Sequence, residues 1–308
     1  MKIIFRALLL CLLLPTVSNG QRPVIAEEDQ AKLKEWEDTI ALLSFAVIND
    51  SFPENRFGAT KKLIPTLVQA LKVTNSFYYP FSRTQSISIQ YPEDSTFRIF
   101  TWQLYVDVNE YRYYGAIQMN SGELQLFPLV DRSFEVRETE YEILTPEKWY
   151  GALYYGIQPF DTPVGRKYLL FGYDAFSLFS KRKVIDVLSF PGGKPSFGAP
   201  VFYTQEEEGG MKIRNRLLFE YAAEAAVKCN YDPVLGLVVV DHLVETGGVY
   251  EGQGPVRIPD GSYEAYQLTE GVWKNIPMLE NQLMDEAPRP FPILEGDDKL
   301  DIFGRKKD

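Results

Sequence analysis

The chain carries one histidine and two cysteines among 308 residues, so its reactive side chains can be weighed singly. His242 stands beside Asp241 in the stretch VVVDHLVE, a pairing that suggests half of a general-base dyad. The surrounding alternation argues against it. Successive side chains of a strand leave opposite faces, so Asp241 goes with Leu235, Leu237 and Val239, while His242 goes with Gly236, Val238 and Val240. If the strand persists to Leu243, imidazole and carboxylate cannot meet, and His242 reads as the polar end of a buried strand. A Ser-His-Asp site draws its members from distant positions, so a partner from elsewhere stays open, but no GxSxG elbow is present. A single histidine also rules out zinc sites built from two or three imidazoles.

Cys229 lies in RLLFEYAAEAAVKCNYD, where Leu217, Phe219, Tyr221, Ala223, Ala225, Val227, Cys229 and Tyr231 fall on one side of a period-two ladder. A thiol on the apolar side of a strand, with no histidine near it in sequence, is predicted to be buried and inert. The alternation outweighs the helix propensity of the alanines and glutamates, and predicts one long strand with room for a bulge. Paired carboxylates serve glycosidases, but 42 acidic residues offer too many pairs to single one out. EGDDKLD at 295–301 lacks the spacing and central glycine of a calcium loop.

Aromatic residues give the binding signal. In YRYYGAIQM, Tyr111 and Tyr113 oppose Tyr114; in WYGALYYGI, Trp149 and Tyr155 oppose Tyr150 and Tyr154. One face must be core. Tyr114, Tyr150 and Tyr154 are therefore the candidate ligand-binding residues, offering flat surfaces to a sugar or a partner protein if their face is open. A sandwich or a helix-covered sheet buries both faces and hides them. No catalytic residue, metal ligand or cofactor is assigned.

The elements that must position these residues begin with a leader. Residues 1–20 combine Lys2 and Arg6, an apolar run from Ala7 to Leu14 and the polar PTVSNG, the three zones of a secretory signal peptide cut before Gln21. Cys11 follows Leu10 and not a small residue, which disfavours lipidation. The apolar run is shorter than the roughly 20 residues a spanning helix needs, and no later run is longer than strand length, so no transmembrane segment is expected in the mature chain. Removing Lys2 and Arg6 from the 32 cations leaves 30 against 42 acids, a net −12. Such a chain has no electrostatic footprint for nucleic acid, and the one basic cluster, SKRK at 180–183, reads as a solvated turn. Cys229 then stands alone, so no intramolecular disulfide forms despite export.

Residues 21–76 read as a helical pair: Leu33, Trp36, Ile40, Leu43 and Val47 line one face of the first helix, and Ile64, Leu67, Val68 and Leu71 one face of the second. From 77 to 276 the period becomes two, in segments rich in aromatic and β-branched residues separated by turns such as YPEDST and EEEGG. Few helix-sized crossovers intervene, which predicts antiparallel pairing. Residues 277–308, with APRPFPILEGDDKLD, read as an irregular tail. The fold class is α+β: an N-terminal helical pair packed on a large meandering antiparallel sheet, of sandwich-like or propeller-like curvature.

The strand segments FRIFTWQLY, YRYYGAIQM, LFPLVDRS, WYGALYYGI, YLLFGYD, KVIDVLSF, FGAPVF, RLLFEYAAEAA and DHL, spanning about Phe57 to Ile276, together resemble an uncharacterised family of exported bacterial proteins of about this length with no assigned activity. The resemblance implies a periplasmic or extracellular setting and brings no catalytic residues. The expected function is non-enzymatic binding of an unidentified ligand or protein in the cell envelope. The alternatives are a secreted acid-based hydrolase of glycosidase type and a structural subunit of an envelope complex.

Overall fold

The computed structural model describes residues 24–205 and 210–279. The expected leader at 1–20 with Cys11, residues 206–209 of the EEEGG segment and the residues beyond Leu279, EGDDKLD included, lie outside the described residues. Two helices come first, α1 (Glu27–Asn49) and α2 (Pro53–Leu71). Glu27, Glu28 and Asp29 in the first turn of α1 complement the positive end of its dipole. Between the helices, Asp50 accepts the Phe52 N–H at 2.9 Å and Pro53 opens α2 with its φ already helical.

Among the described residues fifteen strands follow, grouped in three sheets. The first contains β1 (Ser88–Gln90), β2 (Phe97–Asp107), β3 (Glu110–Met119) and β4 (Leu126–Val130), a meander in that order. The second is built from β5 (Leu153–Thr162), β6 (Gly165–Asp174), β7 (Ser180–Ser189) and β8 (Ser196–Phe197), with β11 (Leu217–Ala222) on its edge beside β7. The third takes β9 (Phe202–Gln205), β10 (Met211–Arg214), β12 (Cys229–Asp232), β13 (Leu237–Gly247), β14 (Pro255–Thr269) and β15 (Val272–Ile276). All pairings between these strands are antiparallel except that of β15 with β9. Among the described residues no helix is long and apolar enough to cross a membrane.

The single expected sheet is thus three, stacked with the helices as a fourth layer. Period-two alternation makes this possible, because a strand apolar on both faces feeds two cores. Phe100, Trp102 and Leu104 of β2 face Leu33, Ile40, Leu63 and Leu67 of the helices. Phe97 and Ile99 of the same strand face Tyr154, Tyr168, Leu170 and Leu188 of the second sheet. In turn Leu169, Phe171, Ile185 and Val187 face Phe202, Val238, Val240 and Trp273 of the third. The stack is sandwich-like.

Three local expectations need correction. RLLFEYAAEAAVKCNYD is not one strand: β11 belongs to the second sheet and β12 to the third, with a turn and crossing segment at 223–228 between them. The crossing preserves the odd-even phase, so Leu217, Tyr221 and Cys229 are all buried and the ladder looks continuous. On α1 the inward position is Glu37, not Trp36, which is 37% exposed; Glu37 is buried because it accepts from the Tyr79 hydroxyl (2.7 Å) and the Arg83 backbone N–H (2.8 Å). Finally, Trp149 and Tyr150 do not point oppositely. β5 starts only at Leu153, so Trp149, Tyr150 and Tyr154 all enter the core between the first two sheets.

Candidate functional site

The three candidate tyrosines separate. Tyr150 is 2% and Tyr154 0% exposed. Their hydroxyls serve a buried polar network: Tyr150 donates to Asp174 at 2.9 Å and Tyr154 to Asp186 at 3.3 Å, while Tyr154 accepts from Trp149 Nε1 at 2.9 Å. They offer no surface to a ligand. Burial and the neighbouring carboxylates push both phenols above their usual range. Tyr114, by contrast, is half-buried and lines a groove of about 830 Å³ on the outer, helix-facing side of the first sheet.

The groove exists because the helices cover that sheet unevenly. Both pack over β2, while the helix-facing sides of β3 and β4 extend past them. Its floor is Trp102, Tyr114, Ala116, Leu126, Pro128 and Val130; its wall is the α2 stripe Ile64, Leu67, Val68 and Leu71. Trp102 and Tyr114 are direct cross-strand partners, and their rings stack with centroids 5.8 Å apart and planes 13° from parallel. Ile64, Val130 and Phe134 stand open at 39%, 42% and 78% exposure. That volume and apolar lining fall in the range of small-molecule sites.

Register orders the groove from end to end. Leu126, Pro128 and Ala116 lie towards the C-terminal end of α2 with Leu71, and pairing of Tyr114 with Val130 places Arg112 and Arg132 at the other end. Arg112 contacts Glu110 through Nε (3.0 Å) and Nη2 (2.9 Å), and its guanidinium lies 5.6 Å from the Phe57 ring centre. Arg132 Nη1 donates to Glu135 at 3.1 Å. Asp131 between them is committed to the backbone, accepting from Tyr113 N–H (2.9 Å) and Ser133 N–H (3.0 Å). One end is apolar, the other charged.

The other chemical candidates are occupied elsewhere. Cys229 is 1% exposed and burial pushes its thiol up to about 12, so thiolate is scarce at neutral pH. Asp241 accepts the Lys228 N–H at 2.7 Å, pinning the chain that crosses into β12. His242 meets a different acid, Asp260, whose Oδ2 lies 3.0 Å from Nδ1. Ser262 Oγ donates to Asp260 at 2.7 Å and not to the imidazole, so a nucleophile-histidine-acid order is not formed. Of the carboxyls raised by burial, Asp174 and Glu264, neither lines the groove. Among the described residues no group of three or more His, Cys, Asp or Glu is placed to hold a metal ion.

Sequence reasoning found Tyr114 and the α2 stripe but missed Trp102, Arg112, Arg132, Val130 and Phe134. A signal was present: LFPLV is apolar at both its odd and even positions, so β4 needs cover on two sides, and among the described residues the helix-facing side is covered at Leu126 but open at Val130. Comparison with known protein families, curated proteins and solved structures finds no match for this chain.

Proposed function

We propose that the chain is an exported, non-enzymatic binding protein of the cell envelope, whose ligand lies with an apolar body in the groove between α2 and the first sheet. The observation that carries this reading is the groove itself: about 830 Å³, open to solvent, with the half-buried Tyr114 in its floor and the 3%-exposed Trp102 stacked against that ring. Stacked aromatic rings and branched aliphatic side chains give area and shape without chemistry, which is what holding a ligand requires. Export is supported by the three-zone leader.

The test is titration of the purified mature protein with an environment-sensitive naphthylamine probe, then displacement by a homologous series of straight-chain alcohols. Each added CH₂ should tighten displacement about fourfold, since burying one stabilises by about 0.8 kcal/mol, until the groove is full. Val68→Glu should weaken probe binding at least about tenfold while circular dichroism stays unchanged. A flat chain-length series, or a V68E protein that binds as before, overturns the reading.

A further inference from the structure

We infer that the groove selects a single-chain amphiphile with an anionic head, its tail lying towards Leu71 and Leu126 and its carboxylate held by Arg112 and Arg132. This rests on the groove being a ligand site, and adds the polarity and orientation of what it holds.

The two ends of the groove differ in kind. From Trp102 to Leu126 the lining side chains are aliphatic or aromatic, and their polar atoms are the Tyr114 hydroxyl and the buried Trp102 Nε1, which has no hydrogen-bond partner among the described residues. At the far end, two guanidinium groups arrive from different strands, Arg112 from β3 and Arg132 from just beyond β4. Arg112 shares the groove side of β3 with Tyr114, and Arg132, past the end of β4, lines the same groove.

Charge at this end decides the sign of the head. The two acids that line it are Asp131 and Glu110. Each Asp131 oxygen already accepts a backbone N–H, and the carboxyl packs closely against Gly151, so its orientation is fixed by the chain around it. Glu110 is engaged by Arg112, but the pair is about half exposed on both sides, 48% and 52%, and such contacts exchange readily with other partners. The Arg132–Glu135 contact is equally exposed, at 46% for each. A guanidinium has five N–H donors; Arg112 spends Nε and one Nη2 on Glu110, and Arg132 spends only Nη1. Donors in fork geometry therefore remain for a carboxylate, which accepts them in bidentate fashion. Ring contacts, Arg112 on Phe57 and Arg132 on Phe134 at 5.6 and 6.0 Å, hold both guanidiniums near the rim.

The experiment compares dodecanoate, dodecanol and dodecyltrimethylammonium as competitors for the naphthylamine probe, on the unaltered protein and on the double variant R112Q/R132Q. Dodecanoate should bind about tenfold or more tighter than dodecanol to the unaltered protein. The double variant should lose dodecanoate affinity at least about tenfold more than dodecanol affinity, so that the preference for dodecanoate disappears. Equal or tighter binding of dodecanol or dodecyltrimethylammonium overturns the inference while leaving the groove a ligand site, as does a preference for dodecanoate that survives in R112Q/R132Q. If none of the three displaces the probe, the groove reading itself fails first.

Discussion

Arg98 and Arg216 are both 0% exposed, yet the layers that hold them treat the charge in opposite ways. Arg98 lies between the helices and the first sheet, and its polar partners among the described residues include no carboxylate. Its donors go to Gln118 Oε1 (2.8 Å), the carbonyls of Tyr79 (2.7 Å) and Ser76 (2.9 Å), and the Tyr91 hydroxyl (2.7 Å). The rings of Phe100 and Phe81 lie 4.7 and 5.2 Å from its guanidinium carbon. Burial lowers its pKa, though an arginine keeps its charge at any working pH. Arg216 lies in the polar seam between the first two sheets, with Nε 3.0 Å from Asp186 Oδ1 and Nη1 donating to the Thr139 carbonyl at 2.5 Å. Dipoles and rings surround the first; a full opposite charge faces the second, whose Nη2 has no hydrogen-bond partner among the described residues. The helix-facing side is closed accordingly: Arg98 on β2 and Gln118 near the end of β3 tie these strands to the chain leaving α2 and seal that part, while nearer the start of β3, around Tyr114 and its β4 partner Val130, the side stays open as the groove.

The comparison can be broken by removing each cation in turn. Arg216→Met strands Asp186, itself 0% exposed, as a buried carboxylate without its counter-ion, and should cost about 3–5 kcal/mol in urea unfolding. Arg98→Met strands no charge, only carbonyls and an amide oxygen, and should cost about 1–3 kcal/mol. A reversed order would mean that the ring-and-carbonyl cage holds its cation more strongly than the ion pair does.

A third buried group sharpens the contrast, because its cation reaches it only through another side chain. Asp174 accepts from Tyr113 (3.1 Å), Tyr150 (2.9 Å) and the Phe176 N–H (3.0 Å), while Arg182 Nη1 donates to the Tyr150 hydroxyl at 3.2 Å. Burial raises the Asp174 pKa above 3.8, against the pull of these donors and of Arg182. The folded state then holds this proton more tightly than the unfolded chain. Its contribution to stability is fully present below 3.8 and is lost as pH rises through the raised folded value. Asp174→Asn removes that dependence. The stability of the unaltered protein relative to D174N should therefore fall with rising pH in urea midpoints taken across the acid range; a relative stability that grows with pH would show Arg182 prevailing over burial.

How much of this was legible depended on whether a pattern had one cause. The helical pair and the strands of the first two sheets follow from periods of 3.6 and two, each set by a face that must be buried. The division into three sheets was not legible, since a strand between two layers alternates no differently from one in a single sheet with both faces covered: Leu169 and Leu170 of β6 look alike in sequence but enter different cores. The break between β11 and β12 escaped for the same reason. At the site, Tyr114 was placed on the correct face because β3 is regular, whereas Tyr150 was misjudged because residues 149–152 precede their strand. Ile64 and Val68 belonged to the predicted helix face. What pattern alone could not say is that the sheet beneath them is wider than the helices.

The smallest effect belongs to the residue that first suggested catalysis. His242 is one residue from the end of the expected strand, but β13 continues to Gly247 and carries a register shift between Asp241 and Leu243 opposite β14. That irregularity lets Asp241 reach back to Lys228 while the imidazole meets Asp260 on the neighbouring strand. The pair is exposed, at 41% and 32%, and Asp260 is already held by the Ser262 N–H and hydroxyl without it. An exposed contact between partners with other hydrogen bonds contributes little. His242→Ala should leave the urea midpoint within measurement error and the naphthylamine affinity unchanged. Asp241→Ala, which frees the Lys228 N–H and the crossing into β12, should lower the midpoint. If H242A proves the more damaging of the two, the imidazole holds something that the register of β13 and β14 does not explain.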